Sequence, residues 1–203
     1  MALRALNMLE LQPPKPFAFM ERVDENFLVQ LTLDLDWTTP WHSSINVLHA
    51  ATPVILRGDG DFSRFFQVLE GYQAENGGWG EHSDPHHQMA GAFHFLPFYR
   101  AAGRVFPRLE ALARLVLALP IHGVGFGTMD MMAVLLFAME RGAITRDECE
   151  RFFREVENVV RRCPLPEKRH DLLAYVQILA YLSRYAGDKA ARDAWAPELW
   201  RLP

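Results

Sequence analysis

The sequence predicts an all-α fold, and three observations support this prediction. Apolar residues recur at helical spacing along most of the chain. Residues that begin or end helices, such as a capping Asp, a first-turn Pro or a terminal Gly, separate the apolar stretches. Helix beginnings of similar composition also return at His42, His87, Asp130 and His170, in steps of 45, 43 and 40 residues. Such a period, holding two helices each time, is typical of stacked helical hairpins.

The domain organisation is simple. Residues 1–18 are rich in proline and predict an N-terminal arm, and residues 19–203 predict one domain. Helices are expected, in chain order, over about 19–33, 43–56, 62–75, 85–102, 107–120, 128–139, 146–162 and 169–186. A short amphipathic stretch with Trp195 and Trp200 follows them. The alternating stretch LTLDLDW leaves a short strand open as an alternative near the end of the first helix.

Local residues justify the helices of the first half. Pro53 lies inside the second helix and predicts a kink or an early stop. Asp61 is placed to cap the third helix, whose apolar residues follow at helical spacing. The fourth helix opens with Asp84 as a cap and Pro85 in the first turn. Pro97 predicts a kink before this helix ends.

Similar residues support the helices predicted in the second half of the chain. The fifth helix lies between two prolines. Thr128 or Asp130 begins the sixth, after the stretch HGVGFG, which predicts a loop, and Gly142 closes it. Thr145 caps the seventh, which has acidic residues in its first turn and arginines in its last. The eighth ends at Gly187.

Two kinds of helix alternate along the chain. Those that open with His42, His87, Asp130 and His170 are apolar on nearly every side, which is typical of buried helices. The intervening helices are amphipathic and belong outside. This alternation predicts an α/α toroid or a partial α/α barrel. Parallel inner helices would bring those four residues to one mouth.

The pairs His42 with His49 and His87 with His94 are both seven residues apart, about two helical turns, so each pair is expected on one helix face. Phe137 and Gln177 are the corresponding positions of the other inner helices.

Composition narrows the function classes. The chain has 203 residues, half of them hydrophobic, and a formal net charge of -4, so a nucleic-acid partner is not expected. No apolar run is long enough to span a membrane, and the N-terminus does not resemble a signal peptide. Cys149 and Cys163 are too far apart on one helix to pair. Free thiols favour a reducing environment, so a cytoplasmic location is expected.

A resemblance to known proteins supports the toroid. The stretch QAENGGW, from Gln73 to Trp79, resembles the QW motif of terpenoid cyclases. The following stretch NGGWGEHSDPHH is similar to the Gly-Gly-aromatic-Gly loop that precedes inner helices in protein prenyltransferase beta subunits, and GVGFGTMD resembles a second copy. Carbohydrate-active α/α toroids use similar loops. The D-x-D-D motif of squalene-type cyclases is absent, and the zinc ligands of prenyltransferases cannot be mapped onto this chain.

These observations predict an enzyme with an acid/base site at the mouth, acting on a carbohydrate or uronate as a lyase or hydrolase. Histidine is the usual general base near neutral pH, and paired carboxylates serve glycoside hydrolysis. The residues expected to carry catalysis are His42, His87, Asp130 and His170. The residues expected to bind ligand are Trp41, Trp79, His49, His94, Asp84, Phe126, Asp171 and Gln177.

Several alternatives stay open. Asp84, Asp130 and Asp171 also suit stabilisation of helix starts, and a histidine on an apolar face also suits a hydrogen-bonded core position. Isoprenoid chemistry is a second enzymatic possibility. A non-catalytic helical-repeat module that binds a metabolite or protein is the alternative class. A homodimer or a partner chain is expected if the ring of helices is open.

Zinc is the one cofactor alternative. His82, His86 and His87 have ligand-type side chains beside Asp84, and three imidazoles with water suit zinc. However, adjacent helical residues point about 100° apart, and the H-E-x-x-H motif does not occur. The prediction therefore assigns no metal ligand.

Overall fold

A computed structural model describes residues 23–57 and 61–187. The predicted N-terminal arm and the stretch with Trp195 and Trp200 lie outside the described residues. Within the described ranges the chain forms helices and no strand, apart from one isolated antiparallel bridge between Gln73 and Trp79. The all-α prediction is therefore confirmed.

The helices are α1 (Glu25–Asp34), α2 (Pro40–Arg57), α3 (Ser63–Glu70), α4 (Pro85–Phe93), α5 (Leu96–Ala101), α6 (Leu109–Ala118), α7 (Phe126–Glu140), α8 (Arg146–Arg162) and α9 (Arg169–Ala186). No helix in the described part of the chain is both long and apolar enough to cross a membrane.

The structure resolves three places where the sequence left an alternative open or predicted an interrupted helix. The stretch LTLDLDW belongs to α1 and the following turn, where the Trp37 indole donates to the carbonyl of Thr32 at 2.9 Å, so it is not a strand. Helix α2 runs through Pro53 to its end at Arg57 without an early stop. The predicted helix over 85–102 breaks into α4 and α5 just before Pro97, where His94 and Phe95 form a turn.

The helices predicted to be inner form a row. Helix α4 packs against both α2 and α7, and α7 packs against α9. The amphipathic helices flank this row, with α6 against α4 and α7, and α8 against α7 and α9. Helix α7 lies at the centre, and every residue from Asp130 to Ala138 is buried. Within the described ranges, the two ends of the row, α2 and α9, do not pack extensively against each other.

Contacts show that the helices of the row run in the same direction. Ser44 of α2 contacts His94, and one turn earlier Pro40 lies against Gly91, where an added Cβ would be 3.1 Å from the Pro40 Cβ. At the other end, Glu140 closes α7 and forms ion pairs with arginines in the last turns of α5 and α9. The N-termini of α4, α7 and α9 therefore lie towards one end of the molecule.

The predicted register between α2 and α4 is wrong. Ser44, rather than His49, lies opposite His94, so the start of α2 is level with the second half of α4. The loop that precedes α4 sets this offset, because Glu81 donates its backbone N–H to Trp37 at 2.8 Å and holds the loop across the start of α2.

Candidate functional site

The Gln73–Trp79 motif is a structural clamp. The Gln73 amide donates to the carbonyls of Gly77 at 3.1 Å and Pro107 at 2.8 Å. The Trp79 indole donates to the carbonyl of Leu69 at 3.0 Å. These bonds tie the end of α3 to the start of α6 and to the loop between α3 and α4. The motif therefore serves the fold.

Trp79 lies in the core, whereas the sequence prediction assigned it to ligand binding. Its side chain is completely buried. Its ring packs edge-on against Phe95 and Phe106, with centroids 5.2 Å and 5.4 Å away. The indole N–H is already satisfied within the clamp. A bulky aromatic residue with one satisfied polar atom is well suited to a core position.

The start of α4 follows the prediction. Asp84 accepts a hydrogen bond from the His86 backbone N–H at 2.9 Å, with Pro85 in the first turn. This bond lowers the pKa of the Asp84 carboxyl below its usual value. The cap also sets where the next two side chains point.

Asp84→Ala is expected to lower the free energy of unfolding by about 1 kcal/mol, because the helix loses its cap. Asp84→Asn, which retains a capping oxygen, is the matched control and should be nearly neutral. Urea unfolding followed by circular dichroism measures both values. An equal loss in the two variants would mean that the charge, and not the cap, stabilises this helix.

A pocket of about 140 Å³ opens between the start of α4 and the loop before α7. It is lined by His86, Pro120, His122, Gly123, Val124, Gly125, Gly127, Thr128 and Met131. The rings of His86 and His122 are 5.0 Å apart, and the His86 Nε2 atom is 3.3 Å from the Pro120 carbonyl oxygen. Two imidazoles from different parts of the chain thus meet at the pocket.

His86 lines this pocket, where the sequence prediction favoured His87. The exposed His87 ring instead lies beside His82, at a centroid distance of 4.3 Å. Consecutive residues on a helix differ by about 100° in direction, so only one of the pair can face the pocket. The expectation that the two histidines diverge is confirmed, and their assignment is reversed.

The first turn of α7 forms another wall of the pocket. Gly125 precedes the helix, and no side chain caps it. An added Cβ at Gly123, Gly125 or Gly127 would meet no atom within 4 Å. Backbone N–H groups in a first helical turn lack acceptors within the helix and favour anions. This wall is therefore open, and it is formed by a helix start, where anions are favoured.

Asp130 lies one turn further along α7 than predicted. Because the helix begins at Phe126, Asp130 is in the second turn and is not a cap. Its side chain is buried, and its Oδ1 atom has no hydrogen-bond partner. Burial raises the pKa of this carboxyl well above its usual value. A buried acid with one oxygen atom left without a partner is unusual and is a candidate for a functional role.

The histidines predicted on α2 and its neighbour do not form a second site. His42 and His49 are exposed, whereas His94 is buried and its Nδ1 atom is 2.7 Å from the Ser44 hydroxyl oxygen. Burial, with a smaller contribution from His49, lowers the pKa of His94 to about 4. His94 is therefore neutral at physiological pH and fits the core alternative. Trp41 is 39% exposed, with its ring 5.8 Å from that of His94.

The remaining predicted residues are scattered. Phe126, Asp171 and Gln177 are half-buried. Phe137 is buried, with the guanidinium carbon of Arg100 5.4 Å from its ring centroid. The side chain of His170 lies outside the described residues. Of the four predicted catalytic residues, His87 and Asp130 do not line the pocket but lie next along the chain to residues that do, His86 and Met131.

His122 is the pocket residue that the sequence prediction missed. It directly precedes GVGFGTMD, the stretch that resembles a second copy of the glycine-rich loop. The predicted repeat compares residues at helix beginnings, whereas His122 lies four residues before α7.

Among the described residues, no group of three or more His, Cys, Asp and Glu side chains can hold a metal ion. Cys149 and Cys163 are both free, as predicted. The chain matches no known family, and searches of curated proteins and of solved structures found no significant match.

Proposed function

We propose that this protein is an acid/base enzyme that acts on a small substrate bearing a carboxylate, most consistent with a uronate, in the pocket between α4 and α7. The observation that carries this proposal is the meeting of His86 and His122 beside the uncapped first turn of α7. Asp84 lies 3.3 Å from the Nδ1 atom of His86 and orients that ring.

The arrangement suits an elimination reaction. The first turn of α7 holds the substrate carboxylate, because backbone N–H groups at a helix start attract anions. His122 removes the proton from the carbon next to the carboxylate. The electron pair of that C–H bond forms a C=C bond, and the bond from the next carbon to oxygen breaks. His86 gives a proton to the departing oxygen.

The two histidines suit these different roles. Both ring nitrogens of His86 face oxygen atoms, those of Asp84 and Pro120, each at 3.3 Å, so either nitrogen is placed to carry an N–H. The ring of His122 is exposed and can accept a proton from a bound substrate. His86 is therefore assigned as the acid and His122 as the base.

We expect His86→Ala and His122→Ala each to lower turnover of a uronate oligosaccharide by about 100-fold or more, the usual contribution of a general acid or base. The new C=C bond is followed by its ultraviolet absorbance. His87→Ala is the matched control, because His87 is adjacent but does not line the pocket. Wild-type protein that forms no unsaturated product from any uronate would refute the proposal. An equal loss in the control would refute the site.

The toroid assignment belongs to the same proposal. The row of parallel helices α2, α4, α7 and α9, with amphipathic helices outside, supports an open arc of an α/α toroid. Its pocket opens at the helix starts, as the resemblance to α/α toroids implies.

A second candidate is a non-catalytic repeat module that binds a partner. An open groove of about 610 Å³ between α8 and α9 favours it, since it combines charged residues of α8 with Leu179, Leu182 and Tyr185 of α9. Leu173 of α9 is also 60% exposed. Light scattering over a range of protein concentrations tests whether the partner is a second copy, and a monomer throughout would exclude the homodimer.

A further inference from the structure

The surroundings of His86 pose a hydrogen-bonding problem. Its Nδ1 atom lies 3.3 Å from the Asp84 carboxylate, and its Nε2 atom lies 3.3 Å from the Pro120 carbonyl oxygen. A neutral imidazole carries one N–H, so one of these contacts then joins two acceptors with no proton between them. Either a second proton or another cation resolves the conflict.

Distances around the Pro120 carbonyl match a tetrahedral metal ion. Zinc binds imidazole nitrogen at about 2.0–2.1 Å and oxygen at about 2.0–2.2 Å, so two ligand atoms on a tetrahedral ion lie roughly 3.3–3.5 Å apart. The His86 Nε2 atom and the Pro120 oxygen are 3.3 Å apart, which is long for a hydrogen bond.

The second imidazole is also at the right separation. The centre of an imidazole ring lies about 1.1 Å behind its ligating nitrogen, so two rings on one tetrahedral zinc ion have centres roughly 5.2 Å apart. The rings of His86 and His122 are 5.0 Å apart. The rings of His82 and His87 are closer, at 4.3 Å, and the His82 Nδ1 atom already accepts the Asp84 backbone N–H.

We propose that His86 and His122 bind a divalent transition-metal ion of the zinc class, with the Pro120 carbonyl as a third ligand and water as the fourth. Asp84 holds the His86 ring from behind, as carboxylates commonly do for metal-bound histidines. The proposal differs from the three-histidine zinc alternative of the sequence, because it uses His122 and neither His82 nor His87.

The metal site does not depend on the proposed reaction, although both use the same pocket. The ion takes the place of the proton between His86 and Pro120 and occupies the nitrogen of His122. Bound metal therefore removes both the proposed acid and the proposed base. If both proposals hold, zinc inhibits the enzyme by competing with protons and substrate.

Isothermal titration of the purified full chain with zinc chloride tests the site without any activity measurement. We expect one ion per chain, with affinity at least about 10-fold lower in His86→Ala and in His122→Ala. Asp84→Asn keeps the helix cap and should lower affinity by about 10-fold through loss of the orienting carboxylate. His87→Ala is the matched control and should bind as the wild type does.

Two outcomes would overturn the proposal. The first is wild-type affinity in His122→Ala. The second is loss of binding in His87→Ala or in Cys163→Ser, which would assign the ion to other side chains. Nitrogen NMR of the imidazole rings supplies an independent check, because a metal on His86 shifts the Nε2 resonance and leaves Nδ1 protonated. Circular dichroism of each variant shows that it is folded.

Discussion

Gly77→Ala is expected to lower the free energy of unfolding by about 2–5 kcal/mol, combining left-handed backbone strain with overpacking. Gly77 has a φ of +84°, in the region that disfavours side chains. An added Cβ would also lie 2.4 Å from the Leu112 backbone nitrogen and 2.7 Å from the Arg108 carbonyl oxygen. Both atoms belong to the backbone, one in the first turn of α6 and one in the residue before it. The added Cβ can therefore be accommodated only if the clamp and α6 move apart.

Gly103→Ala is the matched control for this prediction. Gly103 also has a positive φ, +65°, but an added Cβ there would meet no atom within 4 Å. Gly103→Ala should lower the free energy of unfolding only through left-handed backbone strain, by about 1–2 kcal/mol. Urea unfolding followed by circular dichroism gives both values. Equal losses would show that α6 moves freely to accept the new methyl group, and that the clamp is not tightly packed.

The sequence predicted the helix beginnings that depend on local chemistry. Asp84 with Pro85 and the Thr145 cap occur as expected, because each involves residues within one helical turn, and Glu148 completes a capping box with Thr145. Gly187 likewise ends α9 in a left-handed conformation. Buried α7 was also predicted, because its apolar residues cover every side. These features need no knowledge of distant neighbours.

The start of α7 shows where local chemistry failed. Each of the three glycines in HGVGFG disfavours a helical conformation by about 1 kcal/mol relative to alanine. The sequence therefore predicted that the whole stretch is a loop. The helix nevertheless starts at Phe126, and the Thr128 hydroxyl donates to the Gly123 carbonyl at 2.7 Å, which holds the loop against the first turn. Because α7 begins earlier than predicted, Asp130 lies in the buried part of the helix and not at its start.

The pairing of His86 with His122 could not be predicted from the sequence for a related reason. The start of α4 was predicted correctly, but which of His86 and His87 faces a pocket depends on the element packed beside them, here the loop before α7, which is distant in the chain. The offset between α2 and α4 depends on a loop contact, Glu81 with Trp37, that no periodicity encodes. The repeat correctly predicted which helices are neighbours, but not the register between them.

Asp130→Ala is expected to raise the free energy of unfolding at pH 7 by about 1–3 kcal/mol, the usual cost of a buried polar group without a partner. The Oδ1 atom has no partner, and burial raises the pKa of the carboxyl. In the unfolded chain an Asp has a pKa of about 3.9. Above that pH the unfolded state ionises while the folded state stays protonated, so wild-type stability falls as pH rises towards the folded-state pKa.

The pH dependence separates this effect from a simple change in packing. The gain from Asp130→Ala should be smallest near pH 3, where both states are protonated and only the cost of burying the neutral carboxyl remains, and should grow above about pH 4. Asp130→Asn keeps the size of the side chain and removes its ionisation, so it should flatten the same pH dependence. Denaturant unfolding from pH 3 to pH 8 measures both variants, with exposed Glu155→Gln as the control.

A gain that does not change with pH would mean that Asp130 is ionised when folded and has a partner. A gain that grows with pH, together with lost turnover, would identify a carboxyl that costs stability and serves the site.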